Sequence, residues 1–425
     1  MTTVLVVDLL PKKDINTHGM WERVVAENFC ICTASFRIRF SGSTTSRRFQ
    51  HWSIRPFTST MATSVPATMK AITINGNKAK VSHDVPIPKI RPTYVLAKVD
   101  SIALNPTDWK HISGKRAAED GKAGCDFSGT VVEVGPEVTK SLKPGDRIAG
   151  TTHGANFSQP EDGCFSEYAV VKGDLAVKIP DSLSFEAAAT FPLGVSTVGQ
   201  GLFQKALHLN LPTDPINDST AVLIYGGSSA TGSLAIQFAK LAGYKVLTTS
   251  SPHNFDFVKS LGADAVYDYR DPECGKKINK DTSDSLKLAW DTISIESSAK
   301  ICADALSSDP TGARYGSILP VKLPKEGVET TMTFMYTIFN DPFEKAGRNT
   351  PAVPEDFEFA KKFFDITEKL LHDGKLKTHP EKVGPNGLEG ALQGMEDMKN
   401  DKVSRAKLVY RVKETPKDSK AEVEL

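Results

Sequence analysis

The residues best placed to do chemistry form a glycine turn followed by hydroxyl side chains. After the apolar run Ala221–Tyr225 the chain reads Gly226, Gly227, Ser228, Ser229, Ala230 and Thr231. Glycine lets a backbone turn sharply where a Cβ would clash. Hydroxyls and backbone N–H groups at the start of a helix bind phosphate, because that end of a helix carries partial positive charge. The segment therefore predicts a phosphate-binding turn of the kind that holds a dinucleotide.

The polar residues after the following strand indicate which dinucleotide fits. A strand predicted at residues 245–249 is followed by Ser250, Ser251, Pro252, His253 and Asn254, with no acid before Asp256. Chains that bind NAD place Asp or Glu about 20 residues past the glycine turn, where it binds the ribose 2′-hydroxyl. Hydroxyl, imidazole and amide groups can surround a 2′-phosphate, which a carboxylate would repel. The pattern favours NADPH over NADH; the alternative, that the glycines serve only a tight loop, stays open at this point.

These groups need a parallel sheet to bring them to one edge, and the hydrophobic pattern predicts such a sheet. Beyond residue 181, short apolar runs alternate with helical patterns. We predict helices at 185–190, 198–209 and 233–241, and strands at 265–267, 288–291, 316–319 and 331–338. This alternation is typical of an α/β fold with a doubly wound parallel sheet.

A β-rich domain is predicted before that sheet, with strands at 70–75, 94–103 and 129–134. Predicted helices at 360–373 and 388–399 and a strand at 407–412 return to it. The predicted domains are an extension at 1–65, the β-rich domain at 66–195 and 346–412, the nucleotide-binding domain at 196–345 and a charged tail at 413–425. Because the tail has few apolar residues, we expect it to be frayed.

The composition agrees with an enzyme that works in water. The chain of 425 residues carries 52 basic and 51 acidic residues, so its charge indicates neither a nucleic-acid partner nor a membrane surface. No apolar run reaches the roughly 18 residues that a membrane span needs. The cysteines are scattered at Cys30, Cys32, Cys125, Cys164, Cys274 and Cys302. This spacing favours reduced packing thiols over a disulfide framework or a zinc cage.

The N-terminal extension is open to two interpretations. From Asn28 through His83 there is no Asp or Glu, while Arg, Ser and Thr are frequent, which is typical of a mitochondrial presequence. The first 27 residues nevertheless contain acids, and Met61 precedes a natural start for the folded part. Either the extension is a true presequence, or the start is assigned too early and the protein is cytoplasmic.

The order of landmarks resembles the medium-chain dehydrogenase/reductase superfamily. The segments are NPTDWK, GTVVEVGPEVTKSLKPGDRIAG, GCFSEYAVV, AAATFPLGVSTVG, YGGSSATG and LGADAVYDYR, and they cover residues 68–412. The resemblance implies a GroES-like catalytic domain interrupted by a Rossmann domain, with the active site in the cleft between them. NPTDWK, the YGGSSAT turn, SPHNFD and DYR are more specific, and they resemble fungal trans-acting enoyl reductases that serve polyketide synthases.

The sequence departs from the zinc-dependent members of that superfamily. A catalytic zinc ion takes three protein ligands and leaves one position open. In zinc-dependent members a His-Glu pair precedes the GTVVEVG strand, but Asp126 and Phe127 stand here, and the four-cysteine lobe is missing. Cys125 and Cys164 have no His at ligand spacing, and His153 is isolated in a glycine-rich loop, where we expect a surface residue. The sequence predicts no metal.

The resemblance also implies which residues hold the cofactor and the substrate. The nicotinamide end would lie on Thr107, Asp108, Trp109 and Lys110, on Ser196 and Thr197, on Ile318 and Leu319, and under Val403 and Ser404. The pyrophosphate would contact Ser228, Ser229, Ala230 and Thr231, the 2′-phosphate Ser251, Pro252, His253 and Asn254, and the adenine side Tyr269. Substrate contacts would come from Val198, Gly199, Gly201, Leu202, Lys205 and, in the variable stretch 335–343, Phe339.

Three of these residues are candidates for catalysis: Lys110, Ser196 and Thr197. An ammonium at Lys110 can stabilise an enolate or hold a ribose hydroxyl, although a solvated surface lysine is the alternative. Ser196 and Thr197 can equally be helix N-cap residues, and Tyr269 can be an ordinary half-buried aromatic.

Hydride transfer to the β-carbon of a conjugated enoyl thioester suits a site without a Lewis acid, since the charge can build on the thioester oxygen. The donor of the α-proton is not evident. The mitochondrial-type enoyl thioester reductases carry a tyrosine shortly after the NPxD segment, and WKHISGKRAAED has none. Lys110, His111 and water are the candidates.

Three functions follow as hypotheses. The first is an NADPH-dependent enoyl reductase acting on a carrier-bound thioester, with a polyketide synthase as partner. The second is a quinone or small-enone reductase, and the third is a non-catalytic NADP-binding module. The intact serine-threonine turn and SPHN segment argue against the third. The oligomeric state is left as monomer or homodimer, the latter through the predicted edge strand 331–338.

Overall fold

A computed structural model describes residues 65–345 and 347–425. The predictions about a presequence or an early start concern residues 1–64, which lie outside the described residues. Within the described part, no helix is both long and apolar enough to cross a bilayer.

The first lobe is rich in strands, as the alternating sequence pattern predicts. Its elements in chain order are β1 (Thr68–Asn75), β2 (Lys78–Pro86), β3 (Tyr94–Ala103), α1 (Pro106–Ser113), β4 (Gly121–Lys122), β5 (Asp126–Val134), β6 (Arg147–Thr151), β7 (Tyr168–Lys172) and β8 (Val177–Lys178). The short helices α2 (Phe185–Ala188) and α3 (Pro192–Val198) lead out of this lobe.

The second lobe alternates strands and helices. Its elements are β9 (Ala221–Tyr225), α4 (Ala230–Leu241), β10 (Lys245–Ser250), α5 (Phe255–Ser260), β11 (Ala265–Asp268), α6 (Cys274–Asp281), β12 (Leu288–Asp291), α7 (Glu296–Ala305), β13 (Arg314–Ser317) and β14 (Glu329–Met332). Helices α5, α6 and α7 were not predicted. The strand predicted at 316–319 corresponds to β13, which begins two residues earlier.

The chain then returns to the first lobe through a hairpin and two longer helices. These elements are β15 (Phe343–Lys345), β16 (Arg348–Thr350), α8 (Pro354–His372), β17 (Glu381–Gly384), α9 (Gly387–Lys399), β18 (Lys407–Arg411) and β19 (Glu422–Glu424). α8 begins earlier than predicted, because Pro354 occupies its first turn, where a missing N–H has no cost.

The strands form a Rossmann sheet and a GroES-like β-structure. In the second lobe the order is β11-β10-β9-β12-β13-β14, with every pairing parallel. In the first lobe β18 joins β3 antiparallel, so the returning segment completes that sheet. The carboxyl ends of β9 and β10 are therefore neighbours, and this places the glycine turn beside the polar residues after β10.

The Rossmann sheet is buried on both faces, as the apolar run Ala221–Tyr225 predicts. Val222 and Ile224 face a core shared with α3, α4 and α8, whereas Leu223 and Tyr225 face the core under α6 and α7. A separate core fills the first lobe beneath α9. The turn and the strand ends therefore stand on a scaffold that packing fixes from both sides.

The strand predicted at 331–338 is wrong over most of its length. β14 ends at Met332, and Met335–Phe339 is a 3₁₀ helix. The structure buries four of its five side chains: Met335, Tyr336, Ile338 and Phe339. In a half-exposed strand at the edge of a sheet, successive side chains would alternate between the two faces, whereas a helical turn can bury neighbours together. One edge of the Rossmann sheet is therefore the short strand β14, and the other edge is β11.

Two further expectations differ from the structure. The helix predicted at 198–209 is a π-helix over Gly199–Gln204, where missing Cβ atoms leave room for the rings of Phe363 and Trp290. The tail expected to fray contains β19, which pairs antiparallel with β2. Leu425 at its end is 5% exposed and packs on the first-lobe core together with Ala421 and Val423, so these few apolar residues and the pairing with β2 anchor the tail.

Candidate active site

The glycine turn is fixed by hydrogen bonds to the neighbouring strand. Gly226 has φ +82°, a conformation that favours glycine. Its N–H donates to Thr249 Oγ1 at 3.0 Å, and the Gly227 N–H donates to the Thr249 carbonyl at 3.0 Å. A Cβ on Gly227 would lie 2.1 Å from Thr248 Oγ1. The turn therefore packs against β10 without side chains, which leaves its outer side free for a ligand.

The hydroxyl residues lie at the start of α4, as predicted. Ser229 is the N-cap and accepts a hydrogen bond from the Gly232 N–H at 3.0 Å. Its hydroxyl also lies 3.2 Å from Thr292 Oγ1. Ser228, Ala230 and Thr231 are half-buried in the same turn. Backbone N–H groups and hydroxyls at this helix N-terminus suit a pyrophosphate.

The residues after β10 form a polar rim beside that turn. Ser251 donates to the hydroxyl of Tyr269 at 3.3 Å, and Tyr269 is 40% exposed. Pro252 and His253 are exposed, while Asn254 is buried and its Oδ1 has no partner among the described residues. A buried acceptor without a partner fits a site that a hydroxyl or N–H of a ligand can complete. The rim fits the adenosine end of a dinucleotide.

The residues predicted for the nicotinamide end lie on α1. Asn105 and Asp108 form a capping box, in which Asp108 Oδ2 accepts from the Asn105 N–H at 2.7 Å. Burial raises the pKa of Asp108 to about 7. Thr107 and Trp109 are half-buried, and Lys110 is too, which is not the fully solvated lysine of the alternative interpretation. Burial lowers the pKa of Lys110.

A buried ion pair holds α1 and α3 together. Asp126 lies 2.5 Å from Lys407 Nζ, and it also accepts from Asn105 Nδ2 at 2.9 Å and from the Leu193 N–H at 2.7 Å. Lys407 donates a second bond to the Thr190 carbonyl at 3.0 Å. Asp126 and its neighbour Phe127 stand at the sequence position of the His-Glu pair. A carboxylate engaged in a structural ion pair therefore occupies the place where zinc-dependent chains have a ligand.

Tyr336, which was not predicted as a site residue, reaches Thr107 from the Rossmann lobe. The Tyr336 hydroxyl lies 2.8 Å from Thr107 Oγ1, although the two residues are 229 positions apart. Tyr336 is 4% exposed, and His153 stacks on its ring with centroids 4.1 Å apart. The only available signal was the aromatic content of the stretch 335–343. WKHISGKRAAED, the segment after Thr107, has no tyrosine, but Tyr336 places a tyrosine hydroxyl beside Thr107 from elsewhere in the chain.

The two histidines near Tyr336 are buried and neutral. His153 is 6% exposed, so the expectation of a surface residue is wrong, because aromatic side chains from 336–343 pack over its loop. Burial lowers the pKa of His111 to about 3 and that of His153 well below its ordinary value. A neutral imidazole is a weak acid, so His111 is a poor candidate for the α-proton donor.

Ser196 and Thr197 are buried inside α3 and do not cap it. Their hydroxyls donate to the carbonyls of Pro192 at 3.2 Å and Leu193 at 2.9 Å, four residues earlier. The N-cap position is Phe191, so the N-cap interpretation is wrong. Such back-bonding satisfies a hydroxyl locally.

Most of the predicted substrate residues are packed in the interior. Val198 and Leu202 belong to the core, and Cβ atoms on Gly199 and Gly201 would meet aromatic rings. Lys205 Nζ lies 2.6 Å from the buried Asp356. Phe339 is buried with its ring centroid 6.1 Å from that of His153. Of this set, only Phe339 lies beside the Thr107–Tyr336 contact.

The remaining predicted cofactor residues are two pairs that the contacts above do not join to α1 or to the glycine turn. Ile318 is half-buried and its N–H donates to Ser294 Oγ at 3.0 Å, while Leu319 is 37% exposed. Val403 is half-buried and Ser404 exposed, in the loop before β18. These positions leave both pairs accessible to a ligand.

The described side chains do not fit a catalytic zinc ion. Among residues 65–345 and 347–425, no group of three or more His, Cys, Asp or Glu side chains is arranged to hold a metal. Burial raises the pKa of Cys125 and Cys164 well above the ordinary value.

Comparison with known proteins agrees with this two-lobe architecture. Residues 91–181 match the alcohol dehydrogenase GroES-like domain, and residues 230–338 match the zinc-binding dehydrogenase family. An alcohol dehydrogenase superfamily protein from Novosphingobium aromaticivorans shares the fold, with a TM-score of 0.65 and 23% identity over 81% of this chain and all of that one. These matches confirm the predicted superfamily and fold, and with them an oxidoreductase that uses a nicotinamide cofactor.

Two fungal relatives match at much higher identity. A trans-enoyl reductase of Alternaria alternata is 44% identical over 81% of this chain and 99% of its own length. A trans-enoyl reductase of Aspergillus sclerotiorum is 42% identical over 79% of this chain and 97% of its own length. At this identity across nearly the full length of both relatives, the chain belongs to the family of fungal trans-enoyl reductases.

Proposed function

We propose that the protein reduces the conjugated C=C bond of an enoyl thioester carried by a separate synthase, with NADPH as reductant. The observation that carries the proposal is the Thr107–Tyr336 contact, which brings hydroxyls from both lobes to one buried point. Hydroxyl donors in a water-poor cleft can stabilise the negative charge that develops on a thioester oxygen. The relatives named trans-enoyl reductases support the same reaction.

When bound, the reduced nicotinamide supplies a hydride. The chain's own residues would hold the two reactants in register, and orientation of this kind accounts for several kcal/mol of a reaction barrier. In this proposal Lys110 binds a ribose hydroxyl or the developing enolate, since no carboxylate forms an ion pair with it among the described residues. In the proposed arrangement Tyr336 donates to Thr107 in their shared hydrogen bond, and the Thr107 hydroxyl hydrogen is then free to donate to the thioester oxygen.

The proposed partner is a polyketide synthase whose carrier domain delivers the substrate. The proposed oligomeric state is either a monomer or a homodimer that pairs through the edge strand β14. Met332 on β14 is 48% exposed and would lie in that interface. The proposed location of the protein is the cytoplasm, or the mitochondrion if residues 1–60 act as a presequence.

Changing Lys110 tests the reaction. NADPH oxidation by the wild type is expected with a short enoyl-pantetheine thioester and not with a simple quinone. Lys110→Ala should lower turnover roughly 10- to 100-fold, because a hydrogen bond from a charged donor contributes about 1.5–3 kcal/mol. The matched control is Lys98→Ala, an exposed lysine on β3, which should behave as wild type. Turnover of the quinone alone would instead identify a quinone reductase, and NADPH binding without turnover of either would favour a binding module.

Changing Ser251 tests the preference for NADPH. Ser251→Asp should weaken NADPH binding about 10- to 100-fold relative to NADH, because a carboxylate repels the 2′-phosphate and accepts a bond from the 2′-hydroxyl. Titration of the protein fluorescence with each nucleotide measures both Kd values. Ser260→Asp adds the same charge at the exposed end of α5 and should leave the ratio unchanged. An unchanged ratio in Ser251→Asp would place the 2′-phosphate elsewhere.

A further inference from the structure

A lysine on the hairpin after the Rossmann lobe enters the same site. Lys345 ends β15, and its Nζ lies 3.8 Å from the centroid of the Tyr336 ring and 5.1 Å from that of Phe334. An ammonium this close to an aromatic face is held by a cation–π interaction. Within the described part of the chain, no carboxylate forms an ion pair with it. The charged group that acts on it is Arg116, and the Cys125 thiol is also near.

The groups around Lys345 come from several elements. They are His111 on α1, Arg116 after α1, Cys125 before β5, His153 after β6, and Tyr336. The histidines are neutral and Cys125 is protonated, because burial moves each pKa in that direction. Arg116 is the cationic neighbour. Lys345 is thus a titratable ammonium among side chains that, apart from Arg116, are uncharged.

We propose, on the basis of the proposed function, that Lys345 donates the proton that the α-carbon of the enoyl substrate receives. The hydride from the reduced nicotinamide forms the β-carbon C–H bond, and the π electrons of the C=C bond move into an enolate. The enolate then takes a proton from the Lys345 ammonium, which forms the α-carbon C–H bond and leaves a neutral amine. The amine regains a proton from water, so each turnover consumes one proton.

The other polar groups at this point are less suited to the step. Tyr336 already shares a hydrogen bond with Thr107, and burial raises the pKa of its phenol well above the ordinary value. By contrast, burial and the Arg116 charge lower the pKa of Lys345 to about 7. General acids work best when their pKa lies near the working pH. Tyr336 is therefore the positioning residue, since its ring face holds the ammonium.

The hairpin offers a matched control. Arg348 on β16 stands opposite Lys345 in the antiparallel register, but its side chain is exposed. Arg348→Met removes a charge of the same sign from the same hairpin without touching the Tyr336 ring. Lys345→Met keeps the apolar stem and removes the ammonium. Lys345→Arg keeps the charge but cannot release a proton near neutral pH.

The experiment uses the full-length enzyme with NADPH and an enoyl-pantetheine thioester in D₂O. The readouts are the pH profile of kcat/KM, the NADPH Kd, and the stereochemistry of deuterium at the α-carbon by NMR. In the wild type the rate should fall as pH rises through about 7, since the acid is lost there. Lys345→Met and Lys345→Arg should lower kcat about 10²- to 10⁴-fold. In both variants the fall of kcat/KM near pH 7, here called the break, should disappear, and deuterium should enter both faces of the α-carbon. The NADPH Kd should be unchanged. Arg348→Met should match the wild type in all three readouts.

Several results would overturn the proposal. If Lys345→Met keeps the wild-type pH profile of kcat/KM and still deuterates one face of the α-carbon, Lys345 is not the proton donor. The same conclusion follows if Lys110→Ala, and not Lys345→Met, loses the selectivity for one face. The pKa of Asp108 is also about 7, so Asp108→Asn is measured in parallel. If only that variant loses the break in the pH profile, the titrating group is Asp108 and not Lys345. If Lys345→Met unfolds, Lys345→Arg decides by the same readouts. A wild type that binds NADPH but reduces no enoyl thioester would contradict the proposed function itself.

Discussion

Replacing Lys407 by methionine is expected to lower the free energy of unfolding by about 3–5 kcal/mol, because it leaves Asp126 as an unpaired charge in the interior. Lys407 and Asp126 have side chains 3% and 0% exposed, and their charged atoms lie 2.5 Å apart. An isolated carboxylate at this depth cannot regain the water that it lost on folding. Unfolding in urea, followed by tryptophan fluorescence, measures the change.

The same substitution should also reduce activity beyond its effect on stability. Asp126 binds Asn105 at the start of α1 and the Leu193 N–H at the start of α3. Without Lys407 the carboxylate is free to turn, and both helix starts lose a fixed partner. Since α1 carries Thr107 and Lys110, we expect kcat to fall at temperatures where the variant is still folded.

A surface ion pair provides the control. Lys240 and Asp264 lie 2.7 Å apart, with side chains 44% and 33% exposed. Lys240→Met should change the free energy of unfolding by less than about 1 kcal/mol. In addition, Lys407→Met combined with Asp126→Leu should cost less than the sum of the two single changes, because neither charge is left alone. Equal effects of Lys407→Met and Lys240→Met would show that the buried pair is unimportant for stability.

The parts of the fold that local pattern determines were predictable from the sequence. β3 at Tyr94–Ala103 and β12 at Leu288–Asp291 have the predicted bounds, because β3 follows an alternating pattern and β12 is a short apolar run. The glycine turn before α4 was predictable for the same reason. The stretch Met335–Phe339 was not, since its apolar residues satisfy strand and helix patterns equally until tertiary packing selects one.

The candidate site divides in the same way. Ser229 belongs to a short segment whose residue types suit phosphate binding, so it could be named in advance. Thr107 could be named because the NPTDWK segment resembles that of the family. Tyr336, His153 and Lys345 reach the site from loops and a hairpin far along the chain, and nothing in their own neighbourhood indicates the contact. Only the folded structure shows that a phenol and an ammonium face the segment after Asn105.

Gly232→Ala is expected to weaken NADPH binding about 10- to 100-fold, because the helix and the glycine turn touch at this position. A Cβ on Gly232 would lie 2.2 Å from the Gly226 carbonyl oxygen and 2.9 Å from Gly227 Cα. Both atoms are backbone, so the turn must move away from α4. Overpacking of this kind costs about 1–3 kcal/mol, and the displaced N–H groups no longer point at the phosphates.

Gly194→Ala is the matched control for that prediction. It adds the same methyl group facing the same helix, but the nearest atom is Leu234 Cδ1 at 2.6 Å, the tip of a flexible side chain. The leucine can rotate, so the NADPH Kd should stay within about twofold of wild type. Isothermal titration of both variants with NADPH gives the comparison. Wild-type affinity in Gly232→Ala would mean that the close approach of turn and helix does not set the phosphate site, and the cofactor would then have to be held chiefly by the rim around Ser251 and by the α1 segment.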